Sequence, residues 1–212
     1  GVGDADLTAQ GGDVTLTDAD FDATLDVLAA QNITATNITA DGDATAEATA
    51  AALSVTNGVF GGSTDFDAGT SITLDTVSGT GASTMDAGTD IDVDDLTLGD
   101  TFVATAGQNI IGQTVQVTGD ADLTATAGDV TLTDTNFDAT LDVLAASDVT
   151  ATNLTADGAS NLTATADNID LTTATFSDTS VLIAGTSIIG QTVTGVGDAD
   201  LTAQGGDVTL TD

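Results

Sequence analysis

Aspartate is the residue type in this chain whose abundance and spacing could do chemistry, and that chemistry is cation binding. The sequence holds 34 acidic residues, all Asp except Glu47, and no Lys, Arg or His, so no carboxylate can find a protein counter-charge. Asp22, Asp43, Asp100, Asp120, Asp138, Asp178 and Asp198 recur at the ends of successive segments of similar length. If those segments stack about 4.8 Å apart as parallel coils, neighbouring carboxylates repel by about 0.9 kcal/mol even at the dielectric of water. A bridging cation relieves that repulsion, and calcium, which takes carboxylate oxygens at about 2.3–2.6 Å, is the one expected. Asp86, Asp90, Asp92, Asp94 and Asp95 form a denser cluster, in which strand alternation points Asp90, Asp92 and Asp94 outward and stacks Asp75 beside Asp94. It is not an EF-hand loop, because Asp95 stands where that loop requires Gly. The competing reading of the same residues is a solvated acidic surface that keeps copies apart, so calcium is an optional ligand and no cofactor is required.

Other chemistries lack their parts. Without Cys or His there is no thiolate nucleophile, no Ser-His-Asp triad and no zinc ligand of nitrogen or sulfur, and without Lys there is no P-loop. Asp67-Ala68-Gly69-Thr70 and Asp86-Ala87-Gly88-Thr89 are similar to the D-T/S-G-T/S signature of aspartic proteases, but they lie one segment apart (86 less 67) and are expected to stack as equivalent turn residues. The chain is therefore expected not to be an enzyme. Nucleic-acid binding depends on basic side chains and is excluded as a partner class. No apolar stretch approaches the roughly 18 residues of a membrane span, so no membrane insertion is expected. Sequons at Asn32, Asn37, Asn153 and Asn161 would allow glycans on a secreted surface. Thr-x-Thr pairs such as Thr15/Thr17 and Thr34/Thr36 hint at an ice-binding face, but Asp92/Asp94, Ile111/Gln113 and Ile189/Gln191 interrupt the array.

The elements that would position these residues are set by nested repeats. Residues 1–18 return unchanged at 195–212, an outer period of 194 (195 less 1). Inside it, the stretch from Gly3 returns imperfectly from Gly119, an offset of 116 (119 less 3), and AGQNIIGQTV from Ala106 returns as AGTSIIGQTV from Ala184, an offset of 78 (184 less 106). The chain is read as one continuous segment over 1–212, with sub-repeats 3–118 of six coils, 119–196 of four coils, and 197–212 opening the next unit. Segments begin at Ala5, Ala23, Ala44, Thr64, Ser83, Thr101, Ala121, Ala139, Ser160, Thr179 and Ala199, about 19 residues each, a length that suits solenoid coils.

Within each segment apolar residues alternate at a spacing of two in three short runs, which is a β pattern. The first run is exemplified by Leu25/Val27, Phe66/Ala68 and Val181/Ile183, the second by Ile72/Leu74 and Ile91/Val93, the third by Phe60, Leu96/Leu98 and Phe176. In this register Phe102 falls at an outward position. Asp, Asn or Ser precedes the second run almost everywhere (Asp13, Asn32, Ser71, Asp90, Asn109, Asp129, Asp148, Asn168, Ser187) and is expected to bond its own backbone at a corner. Glycines just before it, such as Gly69, Gly88 and Gly107, are expected to supply positive φ. Absence of Pro suits a buried parallel ladder. Three strands per coil predict an all-β, three-sided parallel β-helix of ten to eleven coils.

The GGDVTLT-like and AGxxI-like phrases, with coils of this length, resemble the haemagglutinin-repeat β-helices of filamentous haemagglutinin and related giant bacterial surface adhesins. The resemblance implies a long, right-handed, secreted shaft; the secretion domain and binding domain of such proteins have no counterpart in these residues. With neither an initiator Met nor a cleavable signal, the sequence is expected to be an internal stretch. The expected function is a structural repeat of an extracellular, cell-surface filament, sheath or adhesin shaft that self-associates end to end or side by side. The alternative is a calcium-dependent module that binds glycans, surfaces or neighbouring filaments.

Overall fold

The computed structural model describes residues 3–211; Gly1, Val2 and Asp212, the extremes of the repeated end sequence, lie outside the described residues. All regular elements among them are strands, in a parallel β-solenoid of eleven turns. A turn takes about 19 residues, within the range of solenoid repeats. Each turn contributes one short strand, from β1 (Ala5–Ala9) to β21 (Ala199–Ala203), and one long strand, from β2 (Val14–Phe21) to β22 (Val208–Leu210). The short strands form one eleven-stranded parallel sheet and the long strands another, each strand bonded to its counterparts one turn away. Residues 3–118 hold twelve strands and 119–196 hold eight.

The predicted second and third runs are the two halves of one long strand. Its burial alternates inward and outward, then places the fourth and fifth residues both outward before alternation resumes, as in β4 (Ile33–Ala40). That double outward step bends the strand and makes the third side. At the bend the fifth residue adopts left-handed φ in six coils: Asp18, Asn37, Asn57, Thr76, Asp134 and Asn153. Asn and Asp tolerate this region because their short polar side chains bond locally, whereas Thr is strained there. Asn37 donates to Asp18 at 2.6 Å and Asn57 to Asn37 at 2.9 Å, so the bend is tied from coil to coil. Thr76 follows Asn57 in this column with φ 54°. Replacing Thr76 by Asn is expected to relieve about 1 kcal/mol of strain and raise Tm by roughly 2–4 °C, read by thermal melting followed by circular dichroism.

The glycines before the second run serve a different purpose from the one expected. Among the described residues the only glycine with positive φ is Gly3. A Cβ on Gly69, Gly88 or Gly107 would instead collide with the carbonyl oxygen of Thr49, Gly69 or Gly88 on the coil beneath. Close approach of stacked turns, not backbone handedness, excludes a side chain there.

Short strands present their first, third and fifth residues inward, and the fifth is Ala in all eleven coils, from Ala9 to Ala203. This alanine column fixes the register and corrects four segment starts: the short strands open at Leu25, Phe102, Leu141 and Ser180 rather than Ala23, Thr101, Ala139 and Thr179. Phe102 is thus inward and 2% exposed, not outward. In the tenth coil Leu182 and Ala184 are buried while Val181 and Ile183 face outward, reversing the expected pair. The last position of the long strands alternates large and small: Phe21 pairs with Ala40, Ala40 with Phe60, Phe60 with Gly79, and again Phe137 with Ala156 and Ala156 with Phe176. Each ring overhangs a small neighbour, which fills a narrow interior without crowding.

Candidate functional site

Polar residues stacked one per coil are the candidate functional features, and the corner before each long strand is the most ordered of them. Asp13 accepts the backbone N–H of Asn32 at 2.9 Å, and Asn32 in turn accepts that of Ala52 at 3.2 Å. A longer run joins Asp90, Asn109, Asp129, Asp148, Asn168 and Ser187, each side chain accepting the N–H of the next residue in the series at 2.8–3.2 Å. These residues were expected to bond their own backbone; they bond the equivalent backbone one coil on. The reason is geometric: the strand ladder runs coil to coil, and a short acceptor at the corner continues it where the backbone turns away. Hydrogen bonds from the Asn32 backbone and side chain hold the Asp13 carboxyl below its ordinary range. Asn109 both accepts from Asp129 and donates to Asp90 at 2.8 Å. Asn109→Ala removes both bonds and is expected to destabilise by about 2 kcal/mol, lowering Tm by roughly 4–8 °C. Asn109→Asp keeps the acceptor but sets a third carboxylate between Asp90 and Asp129, so at neutral pH and low salt it should lose about as much, and less in high salt.

The seven coil-ending aspartates do not share one position. Asp43, Asp120 and Asp198 immediately precede a short strand, Asp100 and Asp178 stand two places before one, and Asp22 and Asp138 three. In the first of these columns Asp43 and Asp120 are each followed one coil on by a hydroxyl residue: Asp43 accepts the N–H of Ser63 at 2.8 Å, and Asp120 accepts the N–H of Thr140 at 3.1 Å together with its hydroxyl. The Thr140 hydroxyl and then its N–H hold the Asp120 carboxyl low. Asp100 and Asp178 cap locally, accepting the N–H of Thr101 and Thr179, and Asp138 accepts from Asn136 at 2.7 Å. The expected uniform ladder of carboxylates is therefore replaced by three staggered sets, most of them engaged with N–H or hydroxyl donors.

The dense cluster is likewise divided. Asp86 belongs to β9 (Ser83–Ala87) in the short-strand sheet, Asp90 to the corner column, and Asp92 and Asp94 to the outer side of β10 (Ile91–Leu98). Pairing of Val93 with Leu74 brings Asp94 to the rung of Asp75, and Asp94 accepts from the Gln113 amide. Asp92 lies beside Ile111 of the next coil, and its Oδ1 is buried without a hydrogen-bond partner. Burial, then Asp94 and Asp90, push its carboxyl up. Asp170 repeats this arrangement beside Ile189, raised by burial and then by Asp148.

The longest stack of carboxylates adds Glu47 and Asp65 to Asp67 and Asp86, which the sequence already singles out. Glu47 pairs with Asp67 and Asp67 with Asp86 on three successive coils, with Asp65 two places from Asp67, around an open cleft of about 180 Å³. Burial and then Asp65, Asp86 and Glu47 raise the Asp67 carboxyl. Asp67 and Asp86 do stack, but as outward strand residues rather than turn residues. Of each protease-like phrase only the Asp lies on that outer face; Ala68 and Ala87 point inward, and the Gly-Thr pairs lie in the turn beyond the strand. The signal available for this row was the fourth position of each short strand, legible once the alanine column sets the register. Among the described residues no group of three or more acidic side chains is arranged to hold a metal ion. The arrangement as built offers acceptors to backbone and side-chain donors, and bare charge to solvent.

Residues 79–143 match a family described as Repeats of unknown function (DUF5649). No curated protein and no solved structure matches the chain.

Proposed function

We propose that this chain is a shaft segment of a secreted, cell-surface filament or adhesin, whose work is mechanical: length, stiffness and resistance to attack. The observation that carries the reading is that the repeated end sequence builds equivalent strands one outer period apart, β1 at Ala5–Ala9 and β21 at Ala199–Ala203, with the ladder unbroken between them. A unit that ends on the coil with which it began can be joined to another without disturbing one hydrogen bond. Ten coils at about 4.8 Å add about 48 Å per unit. Absence of Lys and Arg removes every trypsin site, and a net charge of −34 keeps such rods dispersed. The repeat phrasing supports a place beside the haemagglutinin-repeat shafts, and the missing catalytic residue types support a non-enzymatic role. Small-angle scattering on chains of one and two tandem units tests the mechanical part: the second unit is expected to lengthen the particle by about 48 Å at constant cross-section, and an unchanged length would overturn it. Antibody against the chain should label intact source cells; labelling confined to permeabilised cells would overturn the surface location.

A further inference from the structure

Charge is distributed unevenly around this rod, and one edge carries none. The two residues that follow each short strand, from Gln10 and Gly11 in the first coil to Gln204 and Gly205 in the last, are uncharged on all eleven coils. Every other outward column holds at least one acid: the seventh place of the long strands has Asp20, and the fifth place beside it has Asp18, Asp95 and Asp134. The neutral edge is built of Gly, Ala, Ser, Thr and Gln, with Ala50, Ala127 and Ala166 exposed on it. Gly69, Gly88, Gly107 and Gly185 have no room for a Cβ over the coil beneath, so the edge is thin as well as neutral. Beside it Leu144, 45% exposed, borders a shallow groove of about 310 Å³ with Thr124, Thr126, Ala146 and Thr165. Leu28 holds the same strand place in the second coil.

We propose that this neutral edge is a lateral contact surface, and that its occupant is the same edge of a second copy of this chain, packed parallel and in register about a twofold axis along the rods. The proposal rests on the shaft reading and names the edge by which shafts pair. Spacing selects the partner: the edge repeats about every 4.8 Å along roughly 53 Å of rod, and a second copy presents the same repeat rung for rung. Charge sets the direction. A twofold axis along the rods places the short-strand flank of one copy against the corner flank of the other at the same coil. At the fourth place of the short strands the acids are Glu47, Asp67 and Asp86, in the third, fourth and fifth coils. In the corner column they are Asp13, Asp90, Asp129, Asp148 and Asp207, in the first, fifth, seventh, eighth and eleventh coils. Only the fifth coil holds both, so every other rung meets without facing carboxylates. A fully overlapped antiparallel pair would instead set corner against corner, with Asp13 opposite Asp207 and Asp90 opposite Asp129. Gln, Ser and Thr are at once donors and acceptors, so turns built of them are self-complementary under a twofold axis. A strip of about 53 Å by about 10 Å buries roughly 1,000 Å² over the two copies, a weak contact by itself. Repetition along joined units multiplies it through effective concentration, and the edge continues from unit to unit because the last coil repeats the Gln-Gly of the first.

The test uses sedimentation and scattering at concentrations up to about 1 mM, in low salt and at about 1 M sodium chloride, where the screening length falls to about 3 Å. Salt is expected to promote a dimer whose cross-section grows while its length does not. Gln108→Asp with Ala127→Asp, on adjacent coils of the edge, should weaken pairing at least tenfold; Thr97→Asp with Gln116→Asp, equally adjacent but on the second half of the long strands, should not. Because the chain has no Cys, a short bismaleimide reads the direction of pairing. It should join Gln31→Cys chains to each other and Thr186→Cys chains to each other, leave mixtures of the two without crossed pairs, and leave Val59→Cys chains single. A monomer throughout, a dimer that lengthens at constant cross-section, equal behaviour of the two charge variants, or Gln31→Cys joined to Thr186→Cys but not to itself overturns the proposal. Monomers that still scatter as rods leave the shaft reading standing.

Discussion

Raising sodium chloride from about 10 mM to about 1 M at pH 7, which shortens the screening length from about 30 Å to about 3 Å, is expected to raise the melting temperature substantially, and acidification from pH 7 toward 4 to do the same. Both follow from carboxylates stacked without a counter-charge. Asp6 pairs with Asp26, Glu47 with Asp67, Asp67 with Asp86 and Asp122 with Asp142, each on adjacent coils. At about 4.8 Å such a pair repels by about 0.9 kcal/mol in water-like dielectric, an upper figure for exposed groups that salt reduces. For pH, the direction follows from the folded-state values. Asp67, Asp92 and Asp170 are raised above 3.8, so the folded chain takes up protons before the unfolded chain does as pH falls; stability gained this way is complete below 3.8 and lost as pH rises through the raised values. Asp13 and Asp120 are lowered and act oppositely: the stability they lend is present above 3.8 and lost as pH falls through their depressed values. Stability should therefore climb from neutral pH to the region just above 4 and decline in stronger acid. Melting curves across pH and salt check this. Flat dependence on both would sink the account of the acidic faces as unpaired charge, and a rise produced by calcium but not by equal ionic strength or magnesium would restore specific metal sites.

The same residues explain what could be read from sequence and what could not. The period, the strand type and the second and third runs were legible because so short a coil admits one inward pattern wherever Ile, Leu and Val alternate with Thr and Asp. The short strands were harder. Ser-Val-Leu-Ile-Ala offers apolar residues at both alternations, so Val181/Ile183 and Leu182/Ala184 compete, and Thr-Phe-Val-Ala-Thr-Ala does the same around Phe102. What decides is the invariant alanine before each turn, a positional signal weaker than hydrophobicity because Ala contributes so little area. The aspartates were harder still. Their type announced charge, but what each does depends on offsets of one or two places from a strand start, and those offsets separate a ladder from a staggered set of caps. Most of the bend residues could have been found, because Asn or Asp at the fifth place of a run is the ordinary sign of left-handed backbone; Thr76 adopts it without that sign, and Asp95 carries the sign without adopting it.

Phe137→Ala is expected to be among the most damaging single substitutions in the rod. The ring is fully buried, and its stack neighbours are Val117 on one side and Ala156 on the other. Neither is long enough to fill the space, and the ladders on both sides hold the coils apart, so the cavity stays open. Truncation at such a site costs about 3–5 kcal/mol, or roughly 6–20 °C in Tm. The alternation of large and small predicts a companion result. Ala156→Phe places a third ring between Phe137 and Phe176 and is expected to cost about 1–3 kcal/mol by overpacking. In the double variant the new ring leans into the space that Phe137 vacated, so the two losses should fall short of their sum, by a coupling of about 1 kcal/mol or more. Additive losses would mean that the rings do not share one interior column. Because each coil leans on its neighbours, the damage should also be local: hydrogen exchange is expected to quicken in the strands around Phe137 while those near Phe60, several coils away, keep their protection.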